Sequence, residues 1–492
     1  MWYNWIMKIA ISYPPLESKK GIPLLAQNRQ FQWANSPWTA YPIVPASAAT
    51  LLKKEGFEVF WDDAINEKLS YQDWEKGLLS ERSDIIAMET KTPAVKKHWQ
   101  IINEIKLENP KVKIVLMGDH VTALPQESMD NCRADYILTG GDYDFMLLNL
   151  VNYLTKGEKL EPGWWFREGG EVKNTGQFVL NHDLGSLPLI DRSLTKWKFY
   201  AFENSNLTLV PGTFTMAGRD CWWRNQGGCT FCSWTTIFPK YRVVAPEKLL
   251  DEIGELIKLG IKEVFDDTGT FPIGPWLEKF CQGMIDRGYN KKIRLGCNMR
   301  ANAIKDQAVY DLMAKAGFKF ILYGLESANQ KTLDKLNKGE LVEDVVKATQ
   351  MAKKAGLNPH VTCMIGYPWE TRLEAKKTID LTRWLFKEGY IDSLQATIVI
   401  PYPGTALFAE ADREGWLRTK DWDRYDMREP ILKTEMTDEE ILALVRSLYK
   451  SIFSFVFFFR KLKQGFSSPD ILSYYFRLAK KLLSKLRDFA EK

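Results

Sequence analysis

The segment GRDCWWRNQGGCTFCSW gathers three thiols: Cys221, then seven residues, Cys229, then two residues, Cys232. Thiolates are soft ligands that suit zinc or an iron–sulfur cluster. A closed zinc site takes four ligands, usually as two close pairs. Cys132, Cys281, Cys297 and Cys363 are isolated in the chain, and His182 and His360 lie far away without a paired partner. Three thiolates on a four-iron cluster leave one iron open to a chelating small molecule, and structural zinc is the alternative. Gly227 and Gly228 supply the permissive backbone that lets Cys229 turn back toward the metal.

Further polar clusters follow in order. FDDTGT (265–270) carries Asp267 and Thr268, whose bland reading is a polar strand-end turn, and CNMRA carries Arg300, a guanidinium suited to bidentate carboxylate binding or to a surface ion pair. YGLESANQ carries Glu326 and Ser327, the latter also a candidate helix cap. MIGYPWET carries Gly366 and Pro368, by themselves a turn signal, and IPYPGT (400–405) completes the series. In the first half, METKTP, MGDHVTALPQE and TGGDYD fall at strand ends, where Gly118, Gly140 and Gly141 permit close backbone approach to a ligand.

These residues need elements to hold them. KIAISY, EVFWDDA, DIIAMET, KIVLMG and YILTG alternate with helix-length segments, which predicts right-handed crossovers and a doubly wound α/β domain over residues 1–150. Residues 151–206 read as a linker with a small hairpin at Gly169 and Gly170. Six more strand–helix units over 207–420 suit a partial (βα)6 barrel, whose sites form at the C-terminal ends of the strands. Residues 421–492 form a helical C-terminal region.

The totals exclude some functions. Lys and Arg number 67 against 62 Asp and Glu, a net charge of +5 spread over 492 residues, so no nucleic-acid partner is expected. Seven cysteines, mostly isolated, argue against a disulfide framework and for a reducing cytoplasm. The first residues lack the pattern of an export signal. The apolar run Ile452 to Phe459 is far short of the ~20 residues of a spanning helix. The basic, aromatic tail from Ser451 reads either as a helix packed on the barrel or as a peripheral membrane contact suited to a greasy substrate.

Taken in order, these stretches resemble the radical S-adenosylmethionine (SAM) superfamily, and within it the cobalamin-binding proteins related to the anaerobic magnesium-protoporphyrin monomethyl ester cyclase and to hopanoid-associated enzymes. The usual spacing in that superfamily puts three residues between the first two cysteines, where this chain has seven. The resemblance implies a [4Fe–4S] cluster on Cys221, Cys229 and Cys232, the catalytic centre that cleaves SAM to a 5′-deoxyadenosyl radical. It puts Phe231 beside the adenine, Asp267 and Thr268 at the amino group, Arg300 at the carboxylate, Glu326 and Ser327 at the ribose or methionine portion, and Gly366 and Pro368 near the adenine.

In the first half the resemblance implies a cobalamin-binding-like domain, with Tyr13, Pro14, Thr90 and Thr92 facing the corrin. Gly118, Asp119, His120, Thr122, Ala123 and Leu124, with Gly140 and Gly141, would surround the nucleotide tail. No Asp-x-His-x-x-Gly pattern is present, so His120 is read as a loop residue near the cofactor. A module that binds nothing, or that clamps substrate, is the alternative. The function implied is C-methylation of an unactivated carbon on a small-molecule or lipid-like substrate, with an electron donor such as ferredoxin or flavodoxin. Ring formation, ring contraction or oxidation without methyl transfer is the enzyme alternative, and a non-catalytic cobalamin or cluster sensor is the alternative of another class.

Overall fold

The computed structural model of the protein describes residues 6–16, 18–25, 32–34, 39–203, 207–451 and 477. The first sheet has seven strands in the order Glu58–Asp63, Lys8–Tyr13, Ile85–Thr90, Lys113–Gly118, Tyr136–Leu138, Trp164–Glu168 and Glu171–Asn174. The first five are parallel, the doubly wound arrangement expected from the alternation of strands and helices.

The last two strands correct the reading of 151–206 as a separate linker. Trp164–Glu168 pairs antiparallel with Tyr136–Leu138 and carries the hairpin onto the edge of the first sheet. Gly169 and Gly170 both hold positive φ, +61° and +87°, the backbone a tight two-residue turn demands. The helix Tyr143–Lys156 also runs across the boundary placed at residue 150, ending on Gly157 in the left-handed region.

The second sheet has six parallel strands in chain order: Gly212–Thr215, Glu263–Asp266, Arg294–Met299, Phe318–Glu326, Asn358–Ile365 and Ser393–Ile398. This is the expected partial barrel, left open between its first and last strands. The crossover helices have local reasons to form. Pro246–Lys258 begins on a proline whose missing N–H is no loss in the first turn. It buries Leu249, Leu250, Ile253 and Leu256 along one face. Arg372–Glu388 opens with a capping box between Thr371 and Glu374 and stops at Gly389, φ +80°.

The two halves share a core. The apolar cluster under the first sheet includes Phe214, Trp234, Phe238, Ile400 and Tyr402 from the second half and Trp422, Tyr425 and Met427 beyond it. The helix Asp438–Ser451 buries Ile441, Val445, Leu448 and Tyr449 against the barrel, where the Tyr449 hydroxyl donates to the Ala396 carbonyl at 2.8 Å. The tail reading falls on residues 452–476 and 478–492, outside the described residues. Among the described residues no helix is long and apolar enough to cross a membrane.

Candidate active site

Cys221, Cys229 and Cys232 all line one cavity of about 370 Å³ that runs through the barrel from the C-terminal strand ends to Glu263 and Ser393 at strand starts, and all three are partly exposed. The loop between the first two is a 3₁₀ helix, Trp222–Gln226, closed by Gly227 at φ +89° and Gly228 at φ +74°. The chain therefore turns back at the glycines, as the residue types require. Burial pushes the Cys229 thiol up to about 12, with Lys338 pulling against it. Among the described residues no three His, Cys, Asp or Glu side chains converge closely enough to hold a single metal ion. Three soft sulfur donors on the wall of one cavity suit an iron–sulfur cluster.

The Asp-Asp-Thr-Gly stretch packs on the segment that leads into Cys221, through Asp266, Thr268 and Gly269. Asp266 accepts from the Thr215 hydroxyl at 3.1 Å and the Ala217 amide at 2.8 Å, and Thr268 accepts from the Gly218 amide at 3.0 Å. Thr268 is fully buried and does not line the cavity, so it anchors the strand that leads to Cys221 instead of touching a ligand. Asp267 does line the cavity, with Asn298 donating to it at 3.2 Å. Gly269 lies against the peptide between Asp220 and Cys221, where a Cβ would come within 2.6 Å of the Asp220 carbonyl oxygen.

Beside Cys229 stand Arg300 and Lys338, and Glu326 joins them on the cavity wall. Glu326 holds φ +60°, a conformation that costs a side chain of this kind roughly 1–2 kcal/mol. Its carboxylate folds back over Gly324, whose absent Cβ would sit 2.2 Å from Oε1, and accepts from Lys338 Nζ at 3.3 Å. Burial of Lys338 opposes its charge, but Glu340 and Glu326 outweigh it and hold the ammonium above the usual lysine range. Strain of this sort collects at functional sites. Lys338 and Gly269 escaped the sequence reading: Gly269 stood within the quoted motif, whereas Lys338 had no local signal.

Phe231 lines the cavity and packs on the small cluster of Leu336, Met364 and Tyr367. Ser327, Gly366 and Pro368 do not line it. The Ser327 hydroxyl is buried and donates to Glu370 at 2.6 Å, and a Cβ on Gly366 would meet Ile441 and Ile398. The rest of the wall is largely apolar, with Phe214, Phe265, Phe320, Leu322, Met364 and Ile398, and reaches His360 and Ser393, which share a 2.8 Å hydrogen bond.

None of the residues assigned to the corrin or the nucleotide tail lines this cavity. Tyr13 donates to Glu89 at 2.8 Å, Thr90 bonds His98 at 2.9 Å, and Asp119 pairs with Lys91 at 3.4 Å. His120 is fully buried, with Thr92 and Glu127 each 3.2 Å from a ring nitrogen and Trp99 and Trp422 edge-on to the ring. Gly118 and Gly140 do hold the positive φ that lets backbone come close. Thr122 ties the two loops together, donating to the Gly118 carbonyl at 2.6 Å and accepting from the Gly140 amide at 3.1 Å. The approach, however, is taken up by the chain itself: Phe178 and Leu180 lie against Gly140, and a Cβ on Gly141 would meet the Phe238 ring at 2.3 Å. A nucleotide tail would have to displace those rings.

Asp142 and its neighbours instead join the halves. Arg242 donates to both Asp142 oxygens, at 2.7 and 2.6 Å, and Arg219 donates to Asp144 at 2.7 Å and the Gly141 carbonyl at 3.2 Å. His182 sits between Asp142 and Glu161, far from a ligand role in a metal site. Burial opposes its charge, but the bonds to the two carboxylates outweigh that and raise it to about 9.

Residues 218–382 match the family model of the radical SAM superfamily. A protein named as an uncharacterized methyltransferase of Pyrococcus horikoshii is 29% identical over 460 residues, covering 91% of this chain and 93% of that one. The anaerobic magnesium-protoporphyrin IX monomethyl ester cyclase of Cereibacter sphaeroides is 26% identical over 428 residues, 85% of this chain and 66% of the cyclase. Among solved structures, the radical SAM methyltransferase TsrM of Kitasatospora setae, bound to cobalamin and a [4Fe–4S] cluster, superposes with a TM-score of 0.65. It is 16% identical and covers 85% of this chain and 80% of TsrM, a likeness of fold.

Proposed function

We infer that this chain, a radical SAM enzyme by the domain at residues 218–382, is a cobalamin-dependent C-methyltransferase acting on an unactivated carbon. The observation that carries the reading is the sharing of one cavity by Cys221, Cys229 and Cys232 with Asp267, Arg300, Glu326 and Lys338. The thiols would hold a [4Fe–4S] cluster. When bound, that cluster supplies the electron that breaks a carbon–sulfur bond of SAM, and cobalamin supplies the methyl group.

The chain's own residues orient and enclose. Asp267 and Glu326 offer acceptors to SAM's amino and ribose groups, and Phe231 offers an aromatic surface to the adenine. The apolar wall of Phe214, Phe265, Phe320 and Leu322 excludes water from a radical and suits a small or lipid-like substrate. Thr268, Ser327, Gly366 and Pro368 serve from behind, holding the loops that carry these groups. A one-electron donor of the ferredoxin or flavodoxin class completes the system in a reducing, cytoplasmic setting.

A second reading is favoured by the packing of Phe178, Leu180 and Phe238 over Gly140 and Gly141. With that space occupied, the substrate radical would end in ring formation or oxidation without methyl transfer. Anaerobic reconstitution followed by reduction and addition of methyl-labelled SAM distinguishes the two. Methyl transfer puts label into bound cobalamin and then into product from native extract, while the second reading leaves the label in the methionine released alongside 5′-deoxyadenosine. Stoichiometric zinc with no labile sulfide, or a metal centre that survives alanine at all three cysteines, would falsify both.

A further inference from the structure

We propose that Arg300 is a positioning residue for the cluster, docked by the long loop between Cys221 and Cys229 so that it hydrogen-bonds the Cys229 sulfur and not the SAM carboxylate. The proposal rests on the cluster reading above. Its starting point is the four extra residues that this loop carries over the usual superfamily spacing. In the structure those residues build a cage. The guanidinium lies 4.4 Å from the Trp223 ring centroid and 5.2 Å from that of Trp222, within range for cation–π attraction.

The cage is anchored on the far side by the turn at residues 337–339. Trp223 Nε1 donates to the Asn337 carbonyl at 2.6 Å, and Asn337 Nδ2 donates to the carbonyls of Gln226 and Gly228 at 3.0 and 2.8 Å. Gly339 has no Cβ where one would lie 2.0 Å from the Trp223 indole, so this glycine makes room for the ring. Arg300 itself donates through Nη2 to the Lys338 carbonyl and places Nε 3.5 Å from Glu340. With those atoms fixed, Nη1 is aimed at the Cys229 sulfur, 3.9 Å away. A planar fork flanked by two mutually perpendicular indole rings and held at two edges has little freedom left to swing out toward a carboxylate.

A cation bonded to a cluster sulfur stabilises the reduced cluster more than the oxidised one, because reduction adds a negative charge. Hydrogen bonds to the sulfurs are among the levers that set cluster potential. Removing this one should lower the ratio of reduced to oxidised cluster at a fixed applied potential by about tenfold, or about 59 mV for one electron.

The test uses the full chain, reconstituted anaerobically, with the midpoint potential of the SAM-free cluster followed by electron paramagnetic resonance and SAM affinity measured separately. Arg300→Met should shift the potential down by that amount while changing SAM affinity less than about threefold. Arg300→Lys, which keeps the charge, should recover part of the shift, and Trp223→Leu, which removes one wall of the cage, should give an intermediate one. If Arg300→Met fails to hold a cluster, the other two variants carry the same comparison. An unchanged potential in these variants overturns the proposal, as does a tenfold loss of SAM affinity at constant potential, which would make Arg300 a carboxylate binder. A wild-type chain that takes up neither iron nor sulfide instead sinks the cluster reading on which it rests.

Discussion

Gly269→Ala tests whether the strand-end turn positions the cluster loop. The added Cβ would lie 2.6 Å from the Asp220 carbonyl oxygen, 2.7 Å from its carbon and 3.1 Å from the Cys221 amide nitrogen. Comfortable separations begin near 3.5 Å, so the Asp220–Cys221 peptide must retreat by roughly 0.5–1 Å. Backbone atoms cannot rotate away as a side chain could, and Cys221 moves with them. Overpacking of this kind costs about 1–3 kcal/mol, which leaves the fold intact. Function is less tolerant: reacting groups must be held within about 0.5 Å, and a 1 Å misplacement can cost on the order of 100-fold in rate.

The variant should therefore melt a few degrees lower, hold less iron and sulfide per chain after anaerobic reconstitution, and release 5′-deoxyadenosine at least ten times more slowly, an order-of-magnitude expectation from that sensitivity. Gly77→Ala is the control, in the helix Tyr71–Ser80 with nothing within 4 Å of the new Cβ. It should keep the cluster and gain roughly 0.5–1 kcal/mol of stability. Full iron content and wild-type turnover in Gly269→Ala would refute the argument.

Three further outcomes follow from the geometry. His182 is raised to about 9 in the folded chain, so the stability it contributes is complete below its ordinary value of about 6.5 and disappears as pH climbs through 9. Urea unfolding between pH 6 and 9.5 should show a loss of up to about 3 kcal/mol that His182→Gln does not share. Thr371→Ala removes the hydroxyl that accepts from the Glu374 amide at 3.3 Å and should cost about 1 kcal/mol in the same assay, with iron content unchanged. Phe238→Leu thins the ring over Gly141 and should tighten hydroxocobalamin binding severalfold by equilibrium dialysis; unaltered binding would mean the tail does not enter there.

The parts of the site carried on one short segment were legible from residue order alone. The three cysteines, the two glycines that turn the loop, and the sequence of strand-end motifs all depend on neighbours a few residues away. What could not be read were contacts between distant strands. Thr268 looked like a ligand contact because its motif lies at a strand end, yet it is buried off the cavity wall, where its hydroxyl accepts from Gly218, fifty residues earlier. Lys338 carried no local mark, since its place beside Glu326 arises only when that strand bends at a register shift between Gly324 and Glu326. The same holds for the hairpin at 164–174, whose turn was evident from two glycines while its attachment to the first sheet depended on Tyr136–Leu138 as a partner.

Arg219 stands two positions before Cys221 and is clasped by Asp144 and the Gly141 carbonyl, while Arg242 grips Asp142. Grafting the barrel of this chain onto the leading half of a relative would break those clasps unless the acids travelled with the arginines. Such a chimera would leave a buried and a half-buried guanidinium without counterions beside the metal loop, so the natural unit for recombination is larger than either half.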